Sequence, residues 1–444
     1  MTQANSDHRS HARAIWQAAV DAARPETLIR AALADAHQPI RRDLATARRI
    51  LVVGAGKAGA AMSAAVEAAL PDLLPRIEGV VNVPAESVRP LHCVRLHAAR
   101  PAGSNQPTAD GVVGARQILD LLSHAGTDDV ALCLISGGGS ALLPAPAEGI
   151  TLEDKQQVTQ LLHACGATIN EMNCVRKHLS AIKGGKLADA FTGRALYSLI
   201  ISDVIGDSLD VIASGPTAVD PTTFADALRV LKGYHLDSQV PAAVVRLLES
   251  GAVGVVPDTL KRLPGSVHNH IVGNNQRSLQ SAQAEAEKLG YRVLNLGSYI
   301  EGETRQVAVA FAGIVRSLRA DSVPLVPPVC LLSGGETTVT LSPQHGRGGR
   351  NQEFVLAALL KLGNDGMQNV VVLSGGTDGE DGPTDAAGAA ADASTWAKAR
   401  SLGLDPGEYL RTSNAYSFFD ATGDLLRTGL TETNVMDVRV ILVY

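Results

Sequence analysis

The chain has 444 residues, of which 45% are hydrophobic, 19% charged and 3% aromatic, with a formal net charge of −6. A mildly acidic chain, poor in aromatics and without a dense Lys/Arg run, offers neither the electrostatic footprint nor the stacking platform of a nucleic-acid binder. No apolar run is long and charge-free enough to span a membrane, and the length predicts two or three domains.

Five cysteines stand singly (Cys93, Cys133, Cys165, Cys174, Cys330), with no Cys-x-x-Cys pair. That pattern predicts reduced thiols, a cytoplasmic protein and no structural zinc. The stretch 1–11 is polar and lacks the apolar centre of a signal peptide.

Residues 11–36 read as a helical hairpin interrupted at Pro25. A strand at 50–53 runs into Gly54-Ala55-Gly56-Lys57-Ala58-Gly59, and a small-residue helix follows to about Leu70. The next strand is 79–83, and a helix at 108–123 leads to a strand at 130–135 that ends in Ser136-Gly137-Gly138-Gly139-Ser140. Strands alternating with helices imply parallel βαβ units. Thr151 opens a helix, with Asp154 at capping-box spacing. A second helix at 168–183 carries Asn173, Lys177 and Ser180 beside its apolar face, and a strand at 196–201 ends in Ser202-Asp203-Val204-Ile205-Gly206-Asp207. Residues 222–262 hold two helices and then a looser Gly/Pro-containing stretch, where a domain change is expected near 250–265. Short strands at 270–272 and 291–296 flank a helix at 275–288, and another helix spans 303–319. Two further apolar strands end in Ser333-Gly334-Gly335 and Ser374-Gly375-Gly376, and the last strand is 438–443.

Ser-Gly-Gly after an apolar strand therefore occurs three times, as three turns facing a shared ligand cleft would require. Glycine lets backbone amides approach an anion, and arginine adds planar donors for phosphate or carboxylate. The stretch from Cys330 to Glu353, with Arg347 and Arg350 in a second glycine turn, reads as an anion site opening a helix. Its plain alternative is a solvated loop.

Gly54-x-Gly56-x-x-Gly59 matches the dinucleotide fingerprint, but the strand at 79–83 ends without the acidic residue that would hold a ribose. Lys57 stands where a phosphate would lie, so a nicotinamide site, a phosphate or acid site, and a plain tight turn all remain open. No P-loop, protein-kinase set, His-x-x-x-His zinc spacing or Gly-x-Ser-x-Gly elbow occurs. Lys177 and Lys183 are either site residues or a solvated face. Asp203, Asp207, Glu336, Asp378 and Asp385 lie near strand ends, where they could hold Mg²⁺ or merely cap turns. Asp378-Gly379-Glu380-Asp381-Gly382 lacks the spacing and closing glutamate of a calcium loop.

These residues together resemble the class II glycerate kinases (glycerate 2-kinases) with their C-terminal MOFRL domain. The matching stretches are Val53 to Gly59, Ile135 to Leu143, Asn173 to Gly185, Ile201 to Asp207, Ala213 to Thr217, Leu332 to Thr338, Gly348 to Glu353, Gly376 to Asp385 and Thr433 to Asp437. The resemblance implies a Rossmann-like parallel-sheet N-terminal domain over 12–255 and a smaller α/β domain over 265–444, with the site in the cleft between them. It implies ATP- and Mg²⁺-dependent phosphorylation of D-glycerate at the 2-hydroxyl in a monomer or homodimer without nucleic-acid or membrane partners. Carried onto this chain, Lys57 and Arg350 are the catalytic candidates. Gly54, Gly56, Ser136, Gly137, Gly138, Gly139, Ser140, Lys183, Ser333, Gly334, Gly335, Glu336, Gly376 and Asn434 are candidates for substrate or nucleotide binding, and Asp203 and Asp378 for the metal. Thr428-Gly-Leu-Thr431 departs from the Thr-Gly-Pro-Thr expected there. The runner-up is an NAD(P)H-dependent hydroxypyruvate reductase.

Overall fold

The structure is a computed structural model that describes residues 2–101 and 106–444. Met1, the first residue of the polar stretch 1–11, lies outside the described residues. The chain divides into two compact units, one of 25–272 and one of 1–24 with 273–444.

The first unit holds β1 (Ile50–Ala55), β2 (Ile77–Pro84), β3 (Val94–Arg100), β4 (Val130–Ile135), β5 (Ala195–Ile201) and β6 (Val267–Gly273). Their order is β3-β2-β1-β4-β5-β6, and the pairings from β3 through β5 are parallel. This is the order of doubly wound dinucleotide-binding sheets. β1, β4 and β5 are buried along their whole length, as expected of apolar strands covered on both faces. Leu51, Val53, Cys133 and Ile135 pack with Ala115, Ile118 and Leu122 of helix Ala109–Ser123. The helix at 152–164 begins with the capping box foreseen at Thr151 and Asp154. β3 was not foreseen: its alternating Arg95 and His97 mask the period of a half-buried edge strand.

The second unit holds β7 (Arg292–Asn295), β8 (Val329–Gly335), β9 (Val370–Gly376), β10 (Gly388–Ala391), β11 (Leu425–Leu426) and β12 (Asp437–Val443). Here the order is β11-β10-β9-β12-β8-β7, and β12 lies antiparallel between β8 and β9. One face buries Phe311, Val315, Phe354 and Leu359 from helices Thr304–Ala320 and Arg350–Gly366. The other face buries Ile15, Trp16, Ala19 and Leu279 against Leu332, Leu373 and Val440.

Two expectations about organisation are corrected. The first helix of the hairpin expected at 11–36 in the N-terminal domain is the end of a longer helix, Thr2–Ala22, which packs in the second unit: Trp16 is fully buried and its Nε1 donates to the Gly375 carbonyl at 3.1 Å. The strand expected at 270–272 beside the C-terminal helix is β6, on the edge of the first sheet, where the Leu196 amide donates to Ser266. The compact units therefore divide near 24 and 272, not near 250–265.

Candidate active site

One polar centre lies in each unit. In the first unit it sits at the C-terminal ends of β1 and β4, the point where the strand order reverses and open α/β sheets place ligands. Gly56 has φ +151°, and a Cβ there would stand 2.0 Å from Ser136 Oγ. Only glycine allows that approach. The two loops are then laced together. The Lys57 amide donates to the Gly137 carbonyl at 2.8 Å, and the Ala58 amide to Ser136 Oγ at 3.1 Å. The Gly56 amide donates to the Asn82 carbonyl and the Gly59 amide to the Gly56 carbonyl.

Every amide from Gly56 to Gly59 is thus spent inside the protein. A bound pyrophosphate would need such donors, so of the readings left open for this turn the hydrogen bonding disfavours a pyrophosphate held by its backbone. Its structural work is to carry Lys57 to the second loop, and Gly54 lets β4 approach, with Leu134 O 2.0 Å from where a Cβ would stand. The second loop is the reverse case. Among the described residues, the Gly137 and Gly138 amides donate to no acceptor. Gly138 has φ +75°, and a Cβ there would lie 3.5 Å from Lys57 Cγ and 3.6 Å from an Arg100 guanidinium nitrogen. Unspent amides in a glycine loop beside cations form a concave receptor for an oxyanion.

Gly139 opens a short helix from this loop, packed so that a Cβ would meet Ala213 Cβ at 3.0 Å. Ser140 accepts from Lys183 Nζ at 2.5 Å and from the Arg176 guanidinium at 2.6 Å. The solvated-face reading of Lys177 and Lys183 fails, since each is 2% exposed. Lys177 is an internal ion pair, 2.9 Å from Asp210 and 3.3 Å from Asp220. Asp203 follows β5, at the same end of the parallel sheet as the 136–140 loop.

In the second unit, Arg350 is the first residue of helix Arg350–Gly366. Its guanidinium donates twice to Asp437, at 2.7 and 3.0 Å, and lies 2.8 Å from Glu336. Burial alone would lower the Arg350 pKa; Asp437 and then Glu336 more than reverse this, so it stays charged. Asp381 caps the helix, accepting from the Asn351 and Gln352 amides at 3.0 and 2.8 Å. Burial pushes its carboxyl up to about 7 against these bonds, and Asp437 adds to the rise. Arg347 takes no part in this network and lies over the Tyr416 ring at 4.5 Å.

The Ser-Gly-Gly segments at 333 and 374 are corrected from turns to the last residues of β8 and β9. They flank the start of β12: Gly335 and Gly376 pair with Asp437, and Ser333 and Ser374 with Arg439. Gly334 is glycine because Asn275 Oδ1 stands 1.6 Å from where a Cβ would be. Ser333 is fully buried and its Oγ has no hydrogen-bond partner. These two motifs therefore build the seat of Asp437 and Arg439, which are 0% and 1% exposed. Asn434 Oδ1 accepts the Met436 amide, and Asp378 Oδ1 accepts the Glu380 amide. The departing loop is closed by Thr431 Oγ1 donating to the Thr377 carbonyl, with Leu430 exposed. A cavity of about 440 Å³ opens beside Arg350, lined by Glu336, Thr338, Leu341, His345, Gly349 and Glu353 among others.

A family model described as a domain of unknown function (DUF4147) matches residues 11–249, and the MOFRL family model matches 329–437. A glycerate 2-kinase of Pyrococcus horikoshii is 40% identical over 395 residues, spanning 89% of this chain and 87% of that one. The crystal structure of a glycerate kinase from Thermotoga maritima superposes with a TM-score of 0.86 at 34% identity, covering 99% of this chain and all of the other. The chain belongs to the class II glycerate kinase family. A further relative, from Agrobacterium vitis, is 42% identical over 399 residues, spanning 89% of this chain and 87% of that one, and carries the provisional name of a hydroxypyruvate reductase.

Family membership does not by itself reveal the partners that hold these sites. Asp437 lies 87 residues after Arg350, and Arg176 is one basic residue among three in Arg176-Lys177-His178. No local pattern marks either one. The only cue was that both fall inside stretches matching the family.

For the metal, the described residues contain no group of three or more His, Cys, Asp or Glu side chains able to hold an ion. Mg²⁺ in phosphoryl-transfer sites is held by one or two carboxylates, with water and substrate phosphate supplying the rest. A single carboxylate such as Asp203 beside an oxyanion loop fits that chemistry.

Proposed function

We propose that the chain transfers the γ-phosphoryl group of ATP to the 2-hydroxyl of D-glycerate. The observation that carries this reading is the 136–140 loop, whose unspent amides stand beside cations at the switch point of the sheet. The names of its relatives supply the substrate. In the reaction the bond from the γ-phosphorus to ADP breaks, a bond to the glycerate oxygen forms, and the hydroxyl proton leaves. Catalysis of that kind is mostly positioning and charge stabilisation. Lys57 would hold the glycerate carboxylate or a phosphate, and Arg350 would stabilise the moving phosphoryl. Asp203 is the candidate for holding Mg²⁺, which when bound neutralises phosphate charge. Five free cysteines fit a reducing cytoplasm, and a monomer or homodimer remains our expectation.

The Agrobacterium relative and the Gly54–Gly59 turn favour a second reading, NAD(P)H-dependent reduction of hydroxypyruvate. Against it stand the spent amides of that turn and the end of β2 on Pro84, with no carboxylate at its last residue. The deciding experiment is a phosphorus NMR assay with ATP, Mg²⁺ and D-glycerate beside a cuvette of NADH and hydroxypyruvate. The expected result is a new phosphomonoester, with proton coupling that places it on C2, and no NADH loss. NADH consumption without phosphoester would overturn the kinase reading.

A further inference from the structure

Helix Ile169–His178 ends in three basic residues whose surroundings differ. Lys177 faces two carboxylates, Asp210 and Asp220, and His178 Nε2 lies 3.0 Å from Asp258. Among the described residues, Arg176 has no such partner. Its guanidinium donates to the neutral hydroxyl of Ser140 at 2.6 Å. Lys183 Nζ converges on the same residue, donating to its Oγ at 2.5 Å and its carbonyl at 2.7 Å. A third cation, Lys155, stands behind them with its Nζ on the Leu179 carbonyl at 3.1 Å. Among the described residues, none of Arg176, Lys183 and Lys155 makes an ion pair.

Collecting three poorly hydrated cations without an acid is costly. The same helix shows that the fold supplies acids where a buried charge is purely structural. Burial lowers all three pKa values, and mutual repulsion lowers Lys183 and Lys155 further. An arriving negative charge would relieve it. Ser140 lies on the loop whose Gly137 and Gly138 amides are unspent.

We propose that Arg176 and Lys183 form an oxyanion-binding pair on this loop, with Lys155 as a positioning cation behind them. The ligand is either a phosphate of ATP or the carboxylate of the hydroxy acid. This rests on the kinase reading for its choice of ligands, but not for its geometry.

The test separates charge from hydrogen bonding at Arg176. Arg176→Gln keeps a donor for Ser140 without the charge, Arg176→Lys keeps the charge, and Arg176→Ala keeps neither. Tripolyphosphate and D-glycerate are titrated separately into each full-length protein by calorimetry, and KM and kcat are measured for both substrates. The expected result is that Arg176→Gln and Arg176→Ala weaken one ligand at least tenfold, while Arg176→Lys stays within about threefold of wild type. The KM of the matching substrate should rise in step, with kcat falling less. Loss of tripolyphosphate identifies the phosphate; loss of glycerate identifies the carboxylate. If Arg176→Gln folds and binds both ligands within twofold of wild type, the proposal is wrong, even in an active kinase. Charge-dependent binding in a protein without turnover would instead keep this site and sink the kinase reading.

Discussion

The two polar centres treat charge in opposite ways. Around the 136–140 loop, Arg176 and Lys183 converge on a serine and find no acid. At the start of β12, Arg350 is clamped between Asp437 and Glu336 before any ligand arrives. The first arrangement has positive charge to spare and suits an incoming anion. The second sacrifices net charge for orientation: a bidentate carboxylate fixes the plane of the guanidinium. A transferring phosphoryl needs both a cation that attracts and a cation that is aimed.

The largest expected effect tests whether both centres serve one reaction. Lys57→Ala and Arg350→Ala should each lower kcat/KM for glycerate phosphorylation by about 10³-fold or more, the range for removing a cation from phosphoryl transfer. A near-wild-type rate in either variant would remove that centre from the mechanism.

Stability should separate the two variants. Arg350→Ala takes the bidentate partner from fully buried Asp437, which keeps the Asn351 side-chain amide at 2.9 Å and the Arg439 guanidinium at 3.4 Å. Breaking a buried pair costs about 3–5 kcal/mol, and because the Arg350 side chain is 33% exposed we expect a loss nearer 2–4 kcal/mol in urea unfolding. The Gln variant of Arg176, in the centre with charge to spare, should unfold no earlier than wild type.

The pH dependence should carry opposite signs. The Asp381 carboxyl is raised from 3.8 to about 7, so its contribution is full below about pH 4 and is lost as pH rises through about 7. Lys155 is lowered from 10.5 to about 7, by burial first and then by Arg176 and Lys186. Its contribution is full above about pH 10.5 and is lost as pH falls through about 7. Each slope is on the order of 1 kcal/mol per pH unit within its window. Unfolding free energies of Asp381→Asn and Lys155→Met, followed against pH beside wild type, should each lack one of the two slopes. A wild-type curve that either substitution leaves unchanged would contradict the burial argument at that residue.

The smallest effect sharpens the comparison within one glycine turn. Arg347→Ala removes only the exposed stack on Tyr416, worth about 0.5–1 kcal/mol, and should leave kcat unchanged. A loss of activity near that of Arg350→Ala would show that the turn acts as a unit.

Much of this was legible in the residues themselves. Apolar runs marked β1, β4, β5, β8, β9 and β12, and threonine with an acid three residues on marked the helix start at 152. Ordered motifs across the chain pointed to the family, and Lys57 stood out from its turn. These are local signals, set by side-chain period, capping and glycine sterics within a few residues.

Only the tertiary structure decided which donors remain for a ligand. The Gly54–Gly59 turn, open in sequence between an anion site and a plain tight turn, spends its amides from Gly56 to Gly59 on Asn82, Gly137, Ser136 and Gly56. Ser-Gly-Gly had three identical appearances and two structures, because antiparallel β12 runs between two of the copies and extends them as strand ends, while the third leaves β4, flanked by parallel β1 and β5, as a loop. Lys183, open between a site residue and a solvated face, is buried; the first helix of the hairpin at 11–36, assigned to the N-terminal domain, packs in the other unit. Hydrogen bonding, burial and ion pairing depend on residues brought together from positions far apart along the chain, and a local window holds only one side of each such pair.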